Sequence, residues 1–139
     1  MSATNPLYRL ETFFDAIPVG ANTILVIWAD YQEPIEELFD TGGIDIIFVL
    51  GKPPVAGKRE VDHMPEEYEH IVPVAIMALT SDNVFLAEVQ MKTYLENYRD
   101  QHIASGEYFI LVGAGRTSNI KIGQRVIYRT TYNVRYRES

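Results

Sequence analysis

Hydrophobic side chains recur along this chain with two distinct periods. From Arg125 to Arg137, Val126, Tyr128, Thr130, Tyr132, Val134 and Tyr136 fall on one side of an extended chain. Arg125, Ile127, Arg129, Thr131, Asn133, Arg135 and Arg137 fall on the other. β-Branched and aromatic residues alternating with polar ones predict a half-buried antiparallel strand, about twice the usual length. Between residues 84 and 98 the period is near 3.6: Val84, Ala87, Met91, Tyr94, Leu95 and Tyr98 form one stripe. Glu88, Lys92, Glu96 and Arg99 lie on other faces, which predicts a long amphipathic helix over about 82–103, lying on a sheet. Ser81 and Asp82 serve as its N-capping residues, and Ser105-Gly106 ends it.

The remaining segments complete the order. Asn5-Pro6 opens a short helix carrying Leu7, Leu10, Phe13, Phe14 and Ile17, which stops before Pro18. Thr23 to Ala29 is an apolar run that predicts a strand covered on both faces, with Trp28 in the core. Pro34 to Phe39 is one helical turn or an edge, Thr41-Gly42-Gly43 is a break, and Ile44 to Leu50 is a second strand. Residues 51–70, rich in Pro, Gly and mixed charge, predict a long exposed loop. Ile71 to Leu79 resumes as a strand, with Pro73 near its start or on an unpaired edge. Glu107 to Gly113 is a strand, and residues 114–123 are a polar connection to the terminal strand. The expected fold is α+β: one domain over residues 1–139, with a mixed, mainly antiparallel sheet. An N-terminal helix and one long helix pack on it, and a long strand ends it.

At 139 residues the chain is large enough to bury roughly two-thirds of its unfolded surface. It has no cysteine, which removes disulfides, thiolate zinc sites and cysteine nucleophiles and fits a reducing compartment. No basic-then-apolar leader is visible, and no apolar stretch approaches the ~20 residues of a membrane span, so the expectation is a soluble, intracellular chain. The net charge of -7 is uneven: residues 1–105 hold 17 acidic and 6 basic side chains, residues 106–139 hold 2 and 6. An acidic body argues against a general nucleic-acid binder. The polarity has two readings, opposite charges facing each other within one sheet or halves meeting between neighbouring subunits. The arginine face of the last strand, likewise, is either a solvated edge that discourages aggregation or a docking surface for carboxylates.

No set of residues converges on chemistry. Gly51 and Gly57-Lys58-Arg59 follow a strand but have one residue too many between the glycines and no Ser or Thr for magnesium. Gly113-Ala114-Gly115 follows a strand too, yet Ser118 stands where a dinucleotide loop needs its third glycine. His63, Glu66, Glu67 and His70 have Pro65 among them and lack metal-ligand spacing, so they read as a solvated acidic loop. Ser81 and Ser105 are helix-boundary residues, and His102 sits at the helix end, where a cation suits the dipole. No catalytic, cofactor or metal residue is assigned. A second class of reading, a small-molecule-binding or enzymatic domain with a pocket under loop 51–70, would use Trp28, Tyr68, His63 and His70.

Three segments carry a resemblance: His70 to Leu79 (HIVPVAIMAL), the helix Val84 to Arg99, and the ending Ile122 to Arg137 (IGQRVIYRTTYNVRYR). A Val-Pro-Val strand before a helix and a closing strand of alternating Tyr and Thr resemble the tail-terminator or tail-completion proteins of tailed double-stranded DNA viruses. The resemblance covers most of the chain, and residues 30–66 match least. It implies a non-enzymatic virion protein of the head–tail neck, made in the host cytoplasm, that forms a ring, by expectation a hexamer. Its partners would be other copies of itself, the tail-tube protein and the head connector, with genome DNA passing through the channel without sequence-specific contact. A head-completion or connector protein of the same neck is the neighbouring alternative. On this expectation Arg125, Arg129, Arg135 and Arg137 lie at the subunit interface. Lys52, Lys58, Arg59, Glu60 and Asp62 reach the channel or a partner.

Overall fold

Period-two segments pair and the period-3.6 segments pack across them. The computed structural model describes residues 6–30, 35–40, 42–51, 68–105, 108–112, 117–122 and 125–138. In chain order these form α1 (Pro6–Asp15), β1 (Ile24–Trp28), α2 (Ile35–Asp40), β2 (Ile46–Leu50), β3 (Tyr68–Ala78) and α3 (Ser81–His102). A 3-10 turn (Ile103–Ser105) follows, then β4 (Tyr108–Val112), β5 (Thr117–Ile122) and β6 (Arg125–Glu138). The six strands make one sheet in the order β1-β2-β3-β6-β4, with β5 also on β6. β1 and β2 are parallel, and every other pairing is antiparallel. This is the expected α+β architecture, with the long helix and long final strand in place.

The 14-residue β6 organises the sheet. One of its edges pairs with β3 from Tyr128 to Glu138, and the other is shared by β5 and β4. β5 corrects the expectation of an irregular connection over 114–123. Its exposed Thr117, Ser118, Asn119 and Lys121 weaken the alternation, and among its described side chains only Ile120, opposite Ile127, packs against a core. Pairing with a strong neighbour, not its own propensity, makes it a strand. Val112 pairs with Asn133 and Thr117 with Thr130, five residues forward on one side and three on the other. The slip is even, so side chains keep their faces.

Pro73 is a second correction. It lies inside β3 rather than near its start, paired with β6 on one side and, on the other, just past the last residue that pairs with β2, so an unpaired edge is met on that side alone. The ladder with β2 ends at Leu50 and Val74, and the Pro73 carbonyl accepts the Gly51 N–H at 2.7 Å. A residue's N–H and C=O point to the same neighbour in an antiparallel strand. The missing donor therefore faces the end of β2 and takes nothing from the ladder with β6. Glycine suits position 51, since a Cβ there would stand 3.1 Å from both Cβ and Cγ of Pro73, tighter than ordinary contact.

The cap of α3 also moves. Thr80, extended at φ -129 and ψ 149, accepts the Asn83 N–H at 3.2 Å, so Ser81 and Asp82 belong to the first turn. The helix buries Val84, Ala87, Met91 and Leu95, as its stripe predicts. Together α1 and α3 seal one face of the sheet around Phe14, Phe48 and Phe109. α2, with Phe39 buried, covers part of the other face against Ile47, Met77 and Ile127. β1 is packed on both faces, as expected, although it lies at the sheet's edge: Ile24, Val26 and Trp28 meet the first core, Leu25 and Ile27 the second.

Candidate interaction surface

Alternation along β6 sends its two sets of side chains into different surroundings. Thr130, Tyr132 and Val134 are buried and Tyr128 is half-buried on the helix-covered side. The Tyr132 hydroxyl meets no partner in good hydrogen-bond geometry. Burial, and then the nearby Glu88 carboxylate, push its ionisation well above the ordinary tyrosine range. Glu88 is held by Lys92 Nζ at 2.8 Å, and that ammonium lies 5.8 Å from the Tyr132 ring centre. The cluster ties α3 to β6.

The opposite set is not a uniform outward row of guanidiniums. Ile127 is fully buried against the core under α2. Arg125 forms an ion pair with Asp40 of α2, so here opposite charges face each other within one chain. Arg129 and Arg135 are half-buried, and the Arg129 Nε is shut off from solvent with no hydrogen-bond partner among the described residues. The side chain of Arg137 lies outside the described residues, as do Lys52, Lys58, Arg59, Glu60 and Asp62.

Two surface features escaped the hydropathy pattern. On α3, Phe85, Leu86 and Val89 are 63%, 48% and 43% exposed. Val89 lies one turn beyond Phe85 and Leu86, and the three form an apolar patch beside the buried stripe on the outer side of the helix. The only signal for them is an excess of apolar residues over what one stripe needs. Nearer the end of α3, a groove of about 240 Å³ runs between Lys92, Leu95, Glu96 and Arg99 of the helix and Phe109, Ile110 and Leu111 of β4. Its floor is apolar and its rim charged.

The residues of the small-molecule reading do not assemble. The Trp28 Nε1–H donates to Glu11 Oε2 at 3.0 Å, which pins the indole to α1. His63, Glu66 and Glu67, and the side chains of Tyr68 and His70, lie outside the described residues. His102 stacks on Tyr98 at 3.9 Å between ring centres, with its Nδ1 2.8 Å from the Tyr98 carbonyl oxygen. Among the described residues, no three His, Asp or Glu side chains group as a metal site would require. No described helix is long and apolar enough to cross a membrane.

Charge follows the sheet. From Leu10 to Asp45, which takes in most of α1 with β1 and α2, the sequence has eight acidic side chains and no Lys, Arg or His, although Arg9 stands just before on α1. Lys121 on β5 and Arg129, Arg135 and Arg137 on β6 lie on strands away from β1, while Arg125 of β6 reaches Asp40 of α2. No protein-family model matches this sequence, and no curated protein matches it either.

Proposed function

We propose that this chain is a structural, non-catalytic protein of the neck of a tailed double-stranded DNA virus. It acts as a tail terminator or tail-completion protein, assembling as a ring that caps the tail tube and joins it to the head connector in the virion. The observation that carries the reading is the exposed row Phe85, Leu86 and Val89 on α3. A helix that spends one apolar stripe on its own core and displays a second has a surface made for contact with another protein. The three segments that carry the resemblance fall mainly in β3, α3 and β6, the longest described elements of the fold. The acidic excess suits a channel that lets DNA pass without holding it.

Negative-stain imaging and sedimentation velocity of the purified chain test this reading. Rings, by expectation hexameric, are the expected particles. Phe85→Glu should weaken their association by roughly a hundredfold, since hot-spot truncations cost about 2–4 kcal/mol, with the circular dichroism spectrum unchanged. A chain that stays monomeric at every concentration and is absent from virus particles would overturn the proposal. Binding to the head connector but never to tail-tube protein would move it to the head-completion class.

A further inference from the structure

We infer that copies of this chain join edge to edge, β4 of one against β1 of the next, so that the sheet continues from subunit to subunit. The inference rests on the self-assembly reading above and adds a second contact between copies to the Phe85, Leu86 and Val89 row of α3. Among the described residues, nothing pairs with the outer side of β1 or of β4. Both strands are five residues long, ILVIW and YFILV, with no charge and no proline in either. Exposed edges in monomeric proteins are normally blunted by just such charges or prolines. Two matched, unprotected and wholly apolar or aromatic edges are edges that become covered.

Direction decides how they meet. β1 and β2 run the same way, β3 runs against them, β6 with them and β4 against them. A neighbour turned so as to extend the sheet, helices on the same side, presents its β1 antiparallel to β4. Antiparallel addition at an edge needs no crossover and completes both ladders. Ile24, Val26 and Trp28 of the incoming strand then fall on the side of Phe109 and Leu111, at the mouth of the apolar groove beside α3.

Charge selects this pairing over like with like. On the β1 side the eight charged residues from 10 to 45 are all acidic, with Arg9 of α1 just before them, and residues 106–139, which hold β4, β5 and β6, carry 6 basic side chains against 2 acidic. Joining β1 to β1 would set acid on acid. The contact is therefore heterologous, and copies related by rotation close into a ring.

Cross-linking of the full chain tests the contact, with no background because the sequence has no cysteine. Leu25→Cys and Ile110→Cys place thiols on half-buried edge positions, both on the sheet face away from α1 and α3. A short bismaleimide should leave either variant alone un-cross-linked, give dimers when the two are mixed, and give a ladder ending at the ring for the double variant. On the unmodified protein, amide exchange over 24–28 and 108–112 should slow at least about tenfold in assembled samples relative to dilute ones. Assemblies that sediment normally yet show neither the cross-link nor the protection would overturn the edge contact and leave self-assembly standing. Links formed by Leu25→Cys alone would overturn the head-to-tail arrangement. Wild-type protein that never assembles would overturn both readings together.

Discussion

The two faces of the sheet are built to different degrees. On the helix-covered face, α1 and α3 enclose Phe14, Phe48 and Phe109, each essentially without solvent contact, and Phe14 and Phe48 lie 5.2 Å apart between ring centres. On the other face, the six-residue α2 seals a smaller core and is tethered by the Arg125–Asp40 pair. Further along β3 and β6, Ile71, Pro73, Thr131 and Asn133 of that second face are exposed. One face supplies most of the apolar burial that holds the domain together. Among the described residues, the other is closed only under α2, between β1 and β2 in the chain.

The same truncation made on each face tests that contrast. Phe14→Ala should cost about 3–5 kcal/mol in urea denaturation, because a rigid two-helix roof cannot collapse onto the cavity. Phe39→Ala should cost less, about 2–3 kcal/mol, because a single short helix can settle. Equal losses would mean that the second core is as firmly built as the first. Gly51→Ala, at the seam where β2 ends against Pro73, should cost about 1–3 kcal/mol through overpacking, read from the shift in the urea midpoint. Asp40→Ala removes the tether of α2 and should change stability by less than about 1 kcal/mol, an effect that added salt erases. A larger, salt-insensitive loss would show that the pair positions α2 rather than merely decorating it.

Long periodic segments were readable before the structure. In α3 and β6 the pattern repeats often enough that one misplaced residue cannot hide it, and both appear within a residue or two of their expected bounds. α1 was legible by its period and β1, β2, β3 and β4 as apolar runs, although β3 begins at Tyr68, inside the expected loop 51–70. β5 was not, because four of its six side chains are polar and exposed and its order comes from β6. Pro73 misled because a rule about strand interiors depends on where the neighbouring strand stops, and that lies in the pairing. The arginine face was legible as a composition but not as a surface: a partner on α2 claims Arg125, and burial claims part of Arg129. The groove beside β4 and the position of β1 and β4 at the ends of the sheet left no mark on the pattern, since an apolar strand reads alike at the centre of a sheet and at its rim.

Local chemistry dictated which segments become strands and helices and which side of each is apolar, because backbone period and side-chain type act over a few neighbouring residues. It also dictated the separation of acid from base along the chain. Strand order, the sharing of β6 among three partners, the half-sealed second face and the identity of the open edges depend on contacts between residues far apart in sequence. Those contacts are chosen by the burial and hydrogen bonding of the whole assembly of elements at once, a competition that no single segment records.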